Sequence, residues 1–103
     1  APCLKWYPGD AGYATADIVG DDGIAAGERI WFGATAMAPG SLYPLHRHAP
    51  EELYLFLTLG AFRGDDEVWQ DIPAGGAVYN PPWRTHALKA GSAPLVALWF
   101  LTL

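Results

Sequence analysis

The 103-residue sequence has one cysteine, only six lysines and arginines, and no long apolar run. The single cysteine, Cys3, cannot form a disulfide within the chain, which favours a reducing compartment. The net charge of −5, without a basic cluster, gives no electrostatic footprint for nucleic acid or anionic lipid. The longest apolar runs, 53–59 and 95–101, are far shorter than the roughly 20 residues that span a bilayer. We therefore expect a cytoplasmic protein that binds neither nucleic acid nor membrane.

Turn-forming residues are abundant and evenly spread. The chain has 12 glycines and 9 prolines, and turn signals recur about every ten residues. Seven runs of strand character lie between them, at residues 13–19, 29–37, 53–59, 68–72, 77–79, 85–88 and 95–103. No window carries a long helical stripe free of glycine or proline. Short strands at this spacing predict an all-β sandwich or barrel. We expect one domain over residues 1–103, and a fragment of a longer chain is compatible with the sequence.

All three histidines fall near one another in a pattern typical of metal binding. His46 and His48 are followed by two glutamates, and His86 comes after a proline-rich turn. Imidazole and carboxylate together suit one divalent ion, and this donor set does not discriminate between Zn, Fe, Mn and Ni.

Alternation along an extended chain selects between the two glutamates. Glu51 has odd parity and is expected to point outward, whereas the even positions share one face, although Pro50 interrupts regular pairing. The residues expected to project together into a cavity are His46, His48, Glu52 and Tyr54.

The spacing of these residues resembles the two motifs of the cupin superfamily. The first comprises Gly40, His46, His48 and Glu52, and the second comprises Gly76, Pro81 and His86. The resemblance implies a small jelly-roll-like barrel, a double-stranded β-helix that is often dimeric, with one divalent metal ion on three histidines and one glutamate. It therefore implies that His46, His48, Glu52 and His86 are the metal ligands.

A narrower resemblance involves residues 43–54, 82–87 and 94–99, which are similar to the cupin-type dimethylsulfoniopropionate (DMSP) lyases. That family cleaves its substrate to dimethyl sulfide and acrylate. The resemblance implies that Tyr54, two residues after the glutamate ligand, is the catalytic base. It also implies an active-site position for Tyr43, five residues before His48.

Three positions depart from the cupin pattern. Seven residues rather than six separate Glu52 from Gly60, Trp83 replaces the usual glycine of the second motif, and Ala90 stands where asparagine is common. The extra residue predicts either a bulge near residues 58–59 or a slip in register downstream of the ligands.

A cationic sulfonium group would gain from an aromatic face. Trp83, beside the turn that presents His86, is the tryptophan that we expect to bind substrate.

The sequence therefore predicts a metal-dependent lyase that performs β-elimination on a small sulfonium carboxylate. Two alternatives remain open. One is another metal-dependent cupin enzyme, a dioxygenase or an isomerase, because the same ligand set supports both chemistries. The other is a non-catalytic metal- or ligand-binding module, such as the sensor half of a regulator. The aromatic residues and the long apolar C-terminal strand also predict a homodimer.

Overall fold

The computed structural model describes residues 6–8, 12–19, 30–65 and 68–102. Its regular structure consists of ten strands: β1 (Trp6–Pro8), β2 (Tyr13–Val19), β3 (Ile30–Met37), β4 (Leu42–His46), β5 (Glu52–Phe56), β6 (Gly60–Gly64), β7 (Gln70–Ile72), β8 (Ala77–Asn80), β9 (His86–Lys89) and β10 (Leu95–Thr102). Within these ranges no helix is long and apolar enough to cross a membrane.

The strands form two antiparallel sheets. A six-stranded sheet has the order β1-β2-β3-β10-β5-β8, and a four-stranded sheet has the order β4-β9-β6-β7. Strand β10 is central to the larger sheet because it pairs with β3 on one side and β5 on the other. The predicted all-β architecture is confirmed.

Each of the seven predicted runs overlaps a strand, but the sequence patterns missed β1, β4 and β6. Strand β4 contains Pro44, which usually argues against a strand because proline cannot donate to the ladder. It is tolerated because β4 is the edge of its sheet, and the register with β9 shifts between Tyr43 and His46. Strand β6 is short, and glycines occupy both of its ends. The predicted end positions Arg29 and Leu103 lie outside the described residues.

Strand β5 alternates as its sequence predicts. Glu52, Tyr54 and Phe56 are buried, whereas Leu53 is 42% exposed. The buried residues join a core between the sheets, which consists of Met37, Tyr54, Phe56, Phe62, Leu88, Ala90, Leu95, Ala97 and Trp99.

The extra residue after Glu52 is accommodated just beyond the end of β5. The amides of Leu57 and Thr58 both donate to the Val96 carbonyl, at 2.8 and 3.3 Å. Two successive residues opposite one acceptor form the pattern of a β-bulge. The alternation of β5 is therefore intact, and the bulge, not the slip, is the outcome.

Candidate metal centre and its cavity

The four predicted metal ligands converge from three strands and one loop. His46 ends β4 and lies directly opposite His86, the first residue of β9, with their ring centroids 4.2 Å apart. His48 lies in the loop after β4, and Glu52 begins β5. The nitrogen atoms that the three histidines offer all lie within 4.8 Å of one another.

The backbone orients every one of these imidazoles in the same way. Each Nδ1 lies within hydrogen-bond distance of a carbonyl two residues away: His46 on Pro44 at 2.8 Å, His48 on Pro50 at 2.9 Å, and His86 on Arg84 at 2.8 Å. A carbonyl only accepts, so Nδ1 carries the hydrogen and donates it. The neutral ring then presents its Nε2 lone pair to the centre of the cluster, as in metal-binding histidines.

Glu52 adds a carboxylate to the three imidazoles. Its Oε1 lies 3.2 Å from Nε2 of His48 and 3.1 Å from Nε2 of His86. Burial raises the pKa of the Glu52 carboxyl, but hydrogen bonding to His86 and the charges that His48 and His86 carry when protonated outweigh burial, so the net pKa lies below its usual range. When the imidazoles are neutral, the Glu52 oxygen and the Nε2 lone pairs repel at these distances unless a cation lies among them.

The protonation of His46 strengthens this point. Burial lowers the pKa of His46 to about 4, although its hydrogen bond to the Pro44 carbonyl acts in the opposite direction. His46 is therefore neutral near pH 7 and offers a free lone pair. Three neutral imidazoles and one carboxylate are a fitting donor set for a divalent ion such as Zn, Fe, Mn or Ni.

Tyr54 projects from β5 toward the same centre. Its side chain is 2% exposed, and its hydroxyl lies 3.5 Å from Nε2 of His86. Burial, followed by the negative charge of Glu52, raises the pKa of the Tyr54 hydroxyl well above its ordinary value. Forming the phenolate in this cavity therefore requires a nearby positive charge.

Tyr43 lies beside His46. Its ring stacks on Tyr13 with centroids 4.2 Å apart, and it lies 4.2 Å from the ring of His46. Burial, then Tyr13 and Glu52, raise the pKa of its hydroxyl. The structure thus brings both predicted tyrosines to the histidine cluster.

These groups open on a cavity of about 220 Å³ between the sheets. Its walls are formed by Thr15, Asp17, Trp31, Thr35, Tyr43, His46, His48, Glu52, Tyr54, Trp99 and Leu101. The polar residues of β2 were missed by the sequence reasoning. A signal existed, because Tyr13, Thr15 and Asp17 alternate with smaller or apolar residues, which indicates a strand with its polar face turned inward.

Trp83 is not among the residues that line the cavity. Its side chain is 59% exposed, and the Arg47 guanidinium lies 6.0 Å from its ring centroid on the outer surface. The position expected for substrate binding is therefore corrected: Trp31 and Trp99 supply the aromatic walls, and Trp83 does not.

The backbone of Trp83 nevertheless supports the site. Its amide donates to the His48 carbonyl at 2.9 Å, which ties the loop after β4 to the turn before β9. Trp83 has a φ of 65°, in the left-handed region that glycine adopts without strain. This geometry explains why a glycine is usual at this point of the motif.

Glu51 points away from the cluster, as its parity predicts. Its Oε2 accepts a hydrogen bond of 2.6 Å from the exposed Tyr79 hydroxyl.

Comparisons with known proteins identify the fold and the family. A family model described as DMSP lyase matches residues 9–97. No curated protein matches the sequence. The DMSP lyase DddQ from Ruegeria pomeroyi DSS-3 has a TM-score of 0.89 at 22% identity, covering 97% of this chain and 56% of that chain.

Two further structures have the same fold. One, from work on the DMSP lyases RdDddP and RnDddQII, has a TM-score of 0.88 at 19% identity, covering 99% of this chain and 58% of that chain. The other, the cupin-2 domain protein Rru_A2000 from Rhodospirillum rubrum, has a TM-score of 0.77 at 16% identity, covering 97% of this chain and 68% of that chain.

The architecture is therefore that of a cupin, and the chain spans less than two thirds of the length of the two DMSP lyase structures. Since the family model matches well over half of the sequence, the chain belongs to the DMSP lyase family.

Proposed function

We propose that this protein is a metal-dependent lyase that cleaves a small sulfonium carboxylate such as DMSP to dimethyl sulfide and acrylate. The observation that carries the proposal is the Tyr54 hydroxyl, held beside the cluster of three histidines and Glu52 in a cavity with aromatic walls. Membership of the DMSP lyase family and likeness to structures of DMSP lyases support the choice of reaction.

His46, His48, Glu52 and His86 would hold the metal ion. When bound, a divalent ion supplies Lewis-acid chemistry toward the substrate carboxylate. Three neutral imidazoles and one carboxylate leave a net positive charge on such a site, which favours an anionic carboxylate over a neutral group.

Tyr54 would act as the base in the elimination. Its phenolate oxygen accepts the proton from the carbon next to the carboxylate, and the C–H electron pair becomes the new carbon–carbon double bond. The carbon–sulfur bond breaks as its electron pair moves to sulfur, so a neutral sulfide and acrylate are released. The positive charge of the sulfonium group opposes the burial that raises the Tyr54 pKa. Tyr43, whose ring lies 4.2 Å from that of His46, is the second candidate for this role.

A metal-restoration assay tests this function. The purified protein is stripped of metal, reloaded separately with Fe, Zn, Mn or Ni, and incubated with short sulfonium and ammonium carboxylates while headspace sulfide is measured. Sulfide release that requires the metal supports the proposal. No release from any metallated sample rejects it, and strict dependence of turnover on O₂ would instead indicate a dioxygenase. Metal or ligand binding without turnover would indicate a binding module.

We also propose that the protein is a cytoplasmic homodimer that pairs through the outer face of the six-stranded sheet. Phe32 and Phe100 stack there with centroids 5.1 Å apart, and Ile30 and Leu53 are exposed beside them. An apolar sheet face of this kind usually marks an interface. Light scattering that reports a monomer at high micromolar concentration would contradict the dimer, and Leu53→Lys should weaken it.

A further inference from the structure

The part of the cavity wall that β2 forms carries a carboxylate. Asp17 on β2 lines it, and its side chain is only 9% exposed. Among residues 6–8, 12–19, 30–65 and 68–102, the Asp17 side chain makes no hydrogen bond or ion pair. A carboxylate largely removed from water is costly unless a cation or several donors compensate it. An unpaired Asp17 facing a cavity therefore indicates a ligand that carries positive charge.

The sheet register aligns Asp17 with the proposed base. Asp17 pairs with Gly33, Gly33 with Trp99, and Trp99 with Tyr54, across β2, β3, β10 and β5. Directly opposed residues point to the same face of a sheet, so the side chains form one inward row. Adjacent strands lie about 4.8 Å apart. The row therefore runs from the carboxylate to the catalytic centre over three strand spacings.

Gly33 allows the aromatic ring in this row to lie toward Asp17. A Cβ at position 33 would collide with Cζ2 of Trp99 and with the Ala16 carbonyl oxygen. The Trp99 indole therefore crosses over β3 from its own strand, toward β2. Trp31 meets it edge-on, with centroids 6.4 Å apart and an angle of 70° between the rings.

We infer that Asp17, with the indoles of Trp31 and Trp99, forms a subsite for the cationic head-group of the substrate. A carboxylate beside aromatic faces attracts an onium group by direct charge and by the ring quadrupole, and it repels a second carboxylate. The inference rests on the proposed function, since it uses the same cavity. Its new content is the role of Asp17, which would select a cationic head-group over a neutral one of the same shape.

The neighbouring polar residues cannot fulfil this role. Thr15 and Thr35 form the pair two residues away from Asp17 and Gly33 on β2 and β3, and they carry no charge. Asp17 is therefore the residue in this wall that can discriminate a charged head-group from a neutral one of the same shape.

The test compares two ligands that differ only in charge. Trimethylammoniopropanoate and its hydrocarbon analogue, in which carbon replaces nitrogen, are titrated into the purified metal-containing protein by calorimetry. Wild type should prefer the ammonium compound. Asp17→Asn keeps the shape and removes the charge, so it should reduce this preference by about 10-fold or more while affinity for the neutral analogue is unchanged or improved. Asp71→Asn, an exposed aspartate on β7, is the matched control and should retain the preference.

Asp17→Ser serves as a second variant if Asp17→Asn fails to fold. Equal affinity of wild type for the two ligands overturns the inference, and so does an Asp17→Asn protein that keeps the wild-type preference. Sulfide release is measured in parallel with DMSP. Release from wild type without charge preference would reject the subsite and leave the lyase function standing, whereas charge preference without release would reject the lyase function and leave the subsite standing.

Discussion

Replacing Tyr54 with phenylalanine separates catalysis from packing at the centre of the cavity. The ring of Tyr54 is buried in the core, while its hydroxyl hydrogen-bonds to Glu52 and lies 3.5 Å from Nε2 of His86. Removing the hydroxyl keeps the buried apolar surface but loses a hydrogen bond to a carboxylate, so we expect a loss of about 1.5 kcal/mol of unfolding free energy. For a domain of this size, each 1 kcal/mol corresponds to a fall of about 4 to 8 °C in melting temperature.

The effect of Tyr54→Phe on turnover should be far larger. A positioned general base contributes about 10² to 10⁴ in rate, which equals roughly 2.7 to 5.5 kcal/mol of activation free energy. Metal content should be unchanged, because all four proposed metal ligands remain. Headspace sulfide, elemental analysis and thermal unfolding measured on the same samples distinguish the two effects.

Tyr79→Phe provides the matched control. It removes a tyrosine hydroxyl that bonds to Glu51 on the exposed side of the sheet, away from the cavity. Its turnover should equal that of wild type. A fully metallated Tyr54→Phe protein with near-normal turnover would refute the assignment of Tyr54, and a large loss in Tyr43→Phe alone would move the base to Tyr43.

Three further predictions concern the metal and the fold. Purified protein should contain close to one divalent ion per chain, and His48→Ala or Glu52→Ala should lose it and become less stable, whereas the outward Glu51→Ala should retain it. Undiminished metal in both site variants by elemental analysis would exclude this centre. In the folded, metal-free protein, burial lowers the pKa of His46 from its ordinary value of 6.5 to about 4. The folded state therefore binds this proton more weakly than the unfolded state. Stability measured by thermal unfolding should then be greatest above pH 6.5 and fall toward pH 4, with a smaller slope in His46→Gln. Trp83→Gly should raise the melting temperature because it relieves the left-handed backbone at a mostly exposed residue, whereas Trp83→Ala should not, and equal stabilisation by both would exclude backbone strain as the cause.

The sequence patterns predicted the clustering of the candidate metal ligands because most of the information is local. His46, His48 and Glu52 lie within seven residues, and alternation along an extended chain places Glu52 and Tyr54 on one face. The same rule predicted that Glu51 points outward, which the Tyr79 hydrogen bond confirms. The extra residue after Glu52, recognised against the cupin pattern, predicted either a bulge or a slip in register, and the structure has the bulge.

The sequence patterns could not predict turn geometry or which strand lies at the edge of a sheet. Strand β4 was missed because Pro44 argues against a strand, and only its edge position makes the proline tolerable. Trp83 was placed in the cavity because it is near His86 in sequence. The turn instead gives it a positive φ and directs its ring to the outer surface.

By itself, the sequence determined the all-β class, the inward face of β5 and the identity of the clustered histidines and glutamate, since each depends on spacing within a few residues. The tertiary structure decided which distant residues share the cavity. Asp17, Gly33, Trp99 and Tyr54 lie in one row only because β2, β3, β10 and β5 are adjacent in this register. Alternation assigns a face to each residue, but long-range strand pairing chooses its neighbours across the sheet.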